Sequence, residues 1–219
     1  MFKFKKFVDL TWDLTEKTPI YPGDPKPKIE VATTIENEGY NLSGVFVGTQ
    51  TGSHVDAPYH FSNDGDTIDK MELDFFIGEA VVIRVTDKTA NEQITMEDIK
   101  PYANKITPGK IVLFNTNWYK KLGTNEFFEH PYLAGEVAEF LVDKGVRFIC
   151  MDTINADQTG GTEFPVHDLF SAKRLMIGEN MAYFDKIDFV NVVVAAFPLK
   201  IVGTDGSPVR AVAMEIEKE

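Results

Sequence analysis

Cysteine is nearly missing: the 219-residue chain has one, Cys150. A single thiol excludes an intrachain disulfide framework, and its place inside VRFICMD, which reads as a buried strand, gives it a packing role. Long apolar runs are absent too. None approaches the roughly 20 residues that cross a bilayer, so no membrane span is expected. MFKFKKFVDLTWDL carries basic residues with no apolar stretch behind them, so a secretory signal is not expected there and a cytoplasmic location is. Basic charge is the third scarcity, with 22 Lys and Arg against 34 Asp and Glu and a net charge of -12. So acidic a chain suits neither phosphate backbones nor anionic lipid. A small molecule or another protein is the expected partner, not nucleic acid or a membrane.

What is present is ordinary globular composition. With 43% hydrophobic and 26% charged residues, the chain can bury a full core, and one domain over residues 1–219 is expected. TPIYPGDPKPK is too rich in proline for a helix. EAVVIRV after Gly78 and KIVLF at 110–114 read as strands. Thr95 and Asp98 in TMEDIK form a capping-box pattern opening a short helix that Pro101 limits. AGEVAEFLVDKG from Ala134 puts Val137, Phe140 and Leu141 on one helical face, and Gly145 ends it. VRFICMD follows as a strand. FVNVVVAAF and VRAVAMEI, joined by turn-rich GTDGSP, read as paired strands. The order implies a single α/β domain with a mixed sheet, partly curled towards a barrel, and flanking helices.

Histidine is scarce, with 4 in the chain, yet His54 and His60 share the stretch GTQTGSHVDAPYHF with Asp56 between them. If residues 50–56 are extended, Gln50, His54 and Asp56 share one face. An imidazole and a carboxylate two positions apart then suit a divalent transition ion. Pro58 re-aims the chain, so His60 stands beside the ion, free to move protons. A second segment, PVHDLFSAKRLMIGENM, offers His167 on a short helix and Glu179 at a strand end. His54, Asp56, His167 and Glu179 make two nitrogens and two carboxylates with room for water. His130 in FFEHPYL reads as a loop residue. Asp152, Asn155 and Asp157 in MDTINAD read first as turn and cap formers. Asp157 is also a candidate to orient an imidazole. Trp12, Tyr21 and Phe61 are candidates for an aromatic wall against a planar substrate, with core packing as the alternative.

TGSHVDAPYHF resembles the signature of the cyclase family of metal-dependent hydrolases, which includes bacterial kynurenine formamidase and is similar to isatin hydrolase. FVDLTWDLTEKTPIYPGDP, HPYLAGEVAEFLVDKGVRFICMDT and HDLFSAKRLMIGEN are similar to further stretches of that family. The resemblance implies the swivelling β/β/α fold, a homo-oligomer (dimer or tetramer), metal on His54, Asp56, His167 and Glu179, and His60 as acid/base. Two positions depart from the pattern. Ser53 replaces Thr and keeps the hydroxyl; Gln50 replaces the first His. An amide oxygen is a harder, weaker donor than imidazole. One tight ion is therefore expected rather than two, zinc first and manganese as the alternative. Three readings stay open: hydrolysis of a carbon–nitrogen bond in an aryl formamide or cyclic amide; a cyclase, dehydratase or lactone hydrolase on the same site; and a catalytically silent metal-binding protein.

Overall fold

The structure is a computed structural model describing residues 3–217. Its strands are β1 (Lys3–Asp9), β2 (Lys28–Thr33), β3 (Leu42–Phe46), β4 (His54–Asp56), β5 (Ile77–Arg84), β6 (Gln93–Ile94), β7 (Ile111–Asn115), β8 (Tyr132–Leu133), β9 (Phe148–Met151), β10 (Met176–Glu179), β11 (Val192–Ala195), β12 (Gly206–Pro208) and β13 (Val212–Glu217). The helices are α1 (Ile35–Glu38), α2 (Met96–Ile99), α3 (Gly135–Asp143) and α4 (Pro165–Ala172). Nine strands form one curled mixed sheet in the order β1-β13-β11-β5-β7-β9-β10-β4-β12. The run β5, β7, β9, β10 is parallel; the other pairings within this sheet are antiparallel. The expected α/β domain with a mixed, curled sheet is the one observed.

Parallel strands covered on both faces need apolar residues at successive positions, and β7 is buried along its whole length. Val112, Phe114, Ile149 and Ile177 pack beneath Val137, Leu141, Val166 and Phe170 of α3 and α4. Ile111, Leu113, Phe148, Cys150 and Met176 point the other way, onto Leu10, Val55, Phe184 and Ala213. Gly178 lets these layers close: a Cβ there would lie 3.0–3.2 Å from Met181, Phe148 and Cys150. Helix α3 follows its sequence pattern. Val137 and Leu141 are fully buried, worth about 1.5–3 kcal/mol each by area. Gly145 (φ 76°) ends the helix, with the amides of Gly145 and Val146 donating back to Val142 and Leu141 carbonyls. At α2, Asp98 accepts the Thr95 amide at 2.7 Å, as the capping box requires.

Two expectations need correction. Residues 50–56 are not one extended run: only 54–56 are strand, and Gly52 turns the chain with φ 69°. The Thr51 amide closes a turn on the Gly48 carbonyl. Gln50 therefore rides a turn rather than the strand face shared by His54 and Asp56. Nor is GTDGSP only a turn. β11 and β13 pair as expected, but Gly206–Pro208 within it adds an edge strand to β4. Close approach explains the glycine: a Cβ at Gly206 would sit 2.5 Å from the Val55 carbonyl oxygen. Proline is tolerated there because an edge strand has a side that needs no donor. The ribbon of β2 and β3 was not foreseen. It forms its own two-stranded sheet and leaves Val31, Val45 and Phe46 exposed. Among the described residues no helix is long and apolar enough to cross a membrane.

Candidate active site

The sheet brings the two histidine segments together. β10 pairs antiparallel with β4, setting Glu179 opposite His54 and Ile177 opposite Asp56. Helix α4 then lowers His167 onto the pair. Asp157 fixes this descent: its oxygens accept the Val166 and His167 amides at 3.1 Å, satisfying free N–H groups at the start of α4. The same carboxylate accepts from His167 Nδ1 at 2.7 Å.

These contacts settle the state of each ring. A carbonyl only accepts, so His54 Nδ1, 2.8 Å from the Gly52 oxygen, carries the proton. His167 Nδ1 does so towards Asp157. When neutral, both rings therefore aim a bare Nε2 at carboxylates. His54 Nε2 is 3.4 Å from Asp56 Oδ1 and 3.6 Å from Glu179 Oε2. His167 Nε2 is 3.3 Å from Glu179 Oε1 and 3.6 Å from Asp56 Oδ2. Ligands about 2.0–2.1 Å from a tetrahedral zinc are about 3.3–3.4 Å apart, so these spacings suit a shared cation. His54 Nε2 and both Asp56 oxygens are buried without a hydrogen-bond partner, a costly arrangement unless something cationic joins them. Glu179 Oε1 also accepts the Ala156 amide at 2.6 Å.

Protonation responds to the same crowding. Burial opposes charge on His54, but Asp56 and Glu179 outweigh it and lift the imidazole to about 10. Burial likewise opposes charge on His167, and Glu179, Asp157 and Asp56 raise it well above its ordinary value. Burial raises Asp56 and Glu179, yet the imidazoles win and both carboxyls fall below their usual range. The cluster thus draws positive charge. Among the described residues two three-residue groups could hold a metal, His54–Asp56–Glu179 and Asp56–His60–His167, and they share Asp56.

His60 follows Pro58 in a short 3-10 turn, its ring 5.9 Å from that of His167. Its Nδ1 meets Asp205 Oδ2 at 3.0 Å. Gln50 turns its amide nitrogen to the same oxygen at 2.9 Å. Asp205 escaped the sequence reading because 145 positions separate it from His60; the one hint is an acidic residue in a Gly-rich turn.

A cavity of about 320 Å³ opens over the cluster, lined by His54, His60, His167 and Glu179 together with Gln50. Tyr21, Phe61, Ile154 and Phe164 supply its apolar wall, and Asn155 and Asn180 supply amides. Phe61 stacks 4.5 Å from His167 and 5.4 Å from Phe164. Trp12 is not among the lining residues; its ring packs against Tyr119 and Tyr183. A larger groove of about 570 Å³ passes Arg84, Lys105 and Lys110 and includes none of the cluster. Chemistry, not size, marks the site. Asp152 anchors a turn through the Thr116 and Asn117 amides.

The Cyclase family model matches residues 8–158. A kynurenine formamidase of Bacillus mycoides is 30% identical over 216 residues, covering 98% of this chain and 100% of that protein. Isatin hydrolase A from Labrenzia aggregata, solved with benzyl benzoate, superposes with a TM-score of 0.89 at 25% identity, covering 97% of this chain and 94% of that one. A structure described as a potential metal-dependent hydrolase with cyclase activity reaches 0.78 at 27% identity, covering 97% and 99%.

Proposed function

The chain belongs to the Cyclase family, and from that premise we propose that it is a metal-dependent hydrolase of a carbon–nitrogen bond in a small aryl formamide or cyclic amide. One observation carries the reading: buried imidazole and carboxylate lone pairs lack partners and converge at cation-sharing distances beneath a partly aromatic cavity. His54, Asp56, His167 and Glu179 would hold the ion, zinc first and manganese second. When bound, such an ion acidifies water and polarises a carbonyl. The protein's own groups do the rest. Phe61, Phe164 and Tyr21 flank a planar substrate, leaving Trp12 to packing. His60 takes a proton from the attacking water and returns it to the leaving nitrogen. Asp157 keeps His167 in its ligating tautomer.

The test is turnover of aryl formamides, cyclic amides and lactones by protein supplied with zinc or manganese. Asp56→Ala is expected to lose both metal and activity. His60→Ala is expected to retain metal and lose about 10²- to 10⁴-fold in kcat. Equal metal loss in the two variants makes His60 a ligand. Turnover confined to lactones replaces the amide reading, and no turnover by the metal-loaded protein favours a silent metal binder.

One ion per chain is the proposed stoichiometry, because the amide oxygen of Gln50 is a weaker donor than the imidazole it replaces. Elemental analysis of two tightly held ions overturns this, and Gln50→His is expected to raise the count. A homo-oligomer belongs to the same reading. The β2–β3 ribbon supports it, since an isolated two-stranded ribbon is marginal in water and this one exposes Val31, Val45 and Phe46. Sedimentation as a monomer at micromolar concentration would sink that part alone.

A further inference from the structure

The contacts behind His60 deepen the proposed hydrolase and rest on it. We infer that Asp205 is a positioning residue for His60, and that Gln50 and Thr49 serve the site by holding Asp205. Asp205 receives three side-chain donors: His60 Nδ1 at 3.0 Å and Gln50 Nε2 at 2.9 Å on Oδ2, and Thr49 Oγ1 at 2.8 Å on Oδ1. An ionised carboxylate only accepts, so His60 Nδ1 carries the proton and Nε2 is left bare, the form that can take a proton. The same anchoring of Nδ1 holds His54 through the Gly52 carbonyl and His167 through Asp157. All three imidazoles of the site are thus set in one tautomer from behind.

Asp205 is itself fixed to the strand that carries His54 and Asp56. Its carbonyl accepts the Ala57 amide at 2.8 Å, and the next residue, Gly206, pairs with Asp56. Gln50 has one workable orientation, since reversing the amide would press its oxygen against the carboxylate. Gly206 leaves room for this: a Cβ there would stand 2.7 Å from Gln50 Nε2. The amide nitrogen at position 50 therefore belongs to the proton-transfer side of the site, while its oxygen is buried without a hydrogen-bond partner.

Asp205→Asn tests the assignment, because it keeps the shape but presents an amide to Nδ1. Metal per chain is expected to stay constant, with kcat lower by about 10- to 100-fold and little change in KM. Asp205→Glu, which restores the charge, is expected to regain part of the rate. In a His60→Ala background, Asp205→Asn should cost less than about twofold, since coupled residues are not additive. ¹⁵N spectra of the imidazoles provide a readout independent of turnover: His60 should be protonated on Nδ1 in the wild type and shift towards Nε2–H in Asp205→Asn. Should Asp205→Asn fold poorly, Gln50→Met removes one donor and should lower kcat less, again only while His60 is present. Metal loss in Asp205→Asn, an equal cost with and without His60, or an unmoved tautomer overturns the inference. A wild type inert on every substrate defeats the hydrolase reading instead, and the spectra still decide the role of Asp205.

Discussion

His130 and His54 are buried alike, at 1% and 2% exposure, and their surroundings are opposite. The hydrogen-bond partners of His130 are neutral: Nδ1 donates to the Pro131 carbonyl and Nε2 lies 2.8 Å from the Thr159 hydroxyl. Glu179 raises its pKa less than burial lowers it. Burial then governs, and its imidazole falls below the ordinary value. His54 satisfies only Nδ1, leaves Nε2 without a partner among carboxylates, and rises. Burial alone does not distinguish a ligand from a packing residue. An unpartnered Nε2 among carboxylates marks His54, and not His130, as the candidate.

The contrast can be broken most severely at Asp157. Replacing it by Ala frees His167 Nδ1 and exposes two helix-start amides, so metal affinity is expected to drop about 10- to 100-fold. Stability should fall by about 1–2 kcal/mol as well. Competitive chelator titration and thermal melts measure the two effects separately.

Stability against pH sharpens the comparison, because the two histidines carry opposite signs. In chelator-treated protein, His54 has a folded value of about 10 against 6.5 unfolded. Its contribution is complete below about 6.5 and is lost as pH rises through about 10. His130, lowered in the fold, contributes fully above 6.5 and loses that contribution as pH falls through its folded value. The Tm difference between metal-free wild type and His54→Gln should shrink from pH 6 to pH 10, and that for His130→Gln should shrink towards acid. Parallel slopes would erase the distinction. Smallest in reach is His130→Gln itself. It should cost about 1–3 kcal/mol by leaving buried groups short of a partner, with metal content and kcat at wild-type values.

How far the chain announces all this depends on the range of the cause. β5, β7, β9 and α3 were readable because local apolar periodicity and a terminal glycine specify them. The four proposed ligands could be named, and the structure brings them together, because each sits in a short polar interruption of an apolar strand or helix. Asp157 was readable as an orienting acceptor only as a candidate, since its contact with His167 depends on how α4 lands. The edge strand β12 was hidden by Gly, Ser and Pro, residues that signal turns everywhere except where backbones must approach closely. Gln50 was misplaced because Gly52 reverses the chain two residues later, and period-two reasoning fails across a left-handed residue. Asp205 had only the weak signal of an acidic residue in a Gly-rich turn, 145 positions from His60.

The alignment of β10 against β4 has a consequence for assembly. Glu179 faces His54 only in one pairing, and sliding either strand by a single step would send its donors to opposite sides of the sheet. A chain that has zipped those strands incorrectly would not offer the proposed ion both donors on one face. Correct pairing of β4 with β10 is thus a precondition of the proposed site.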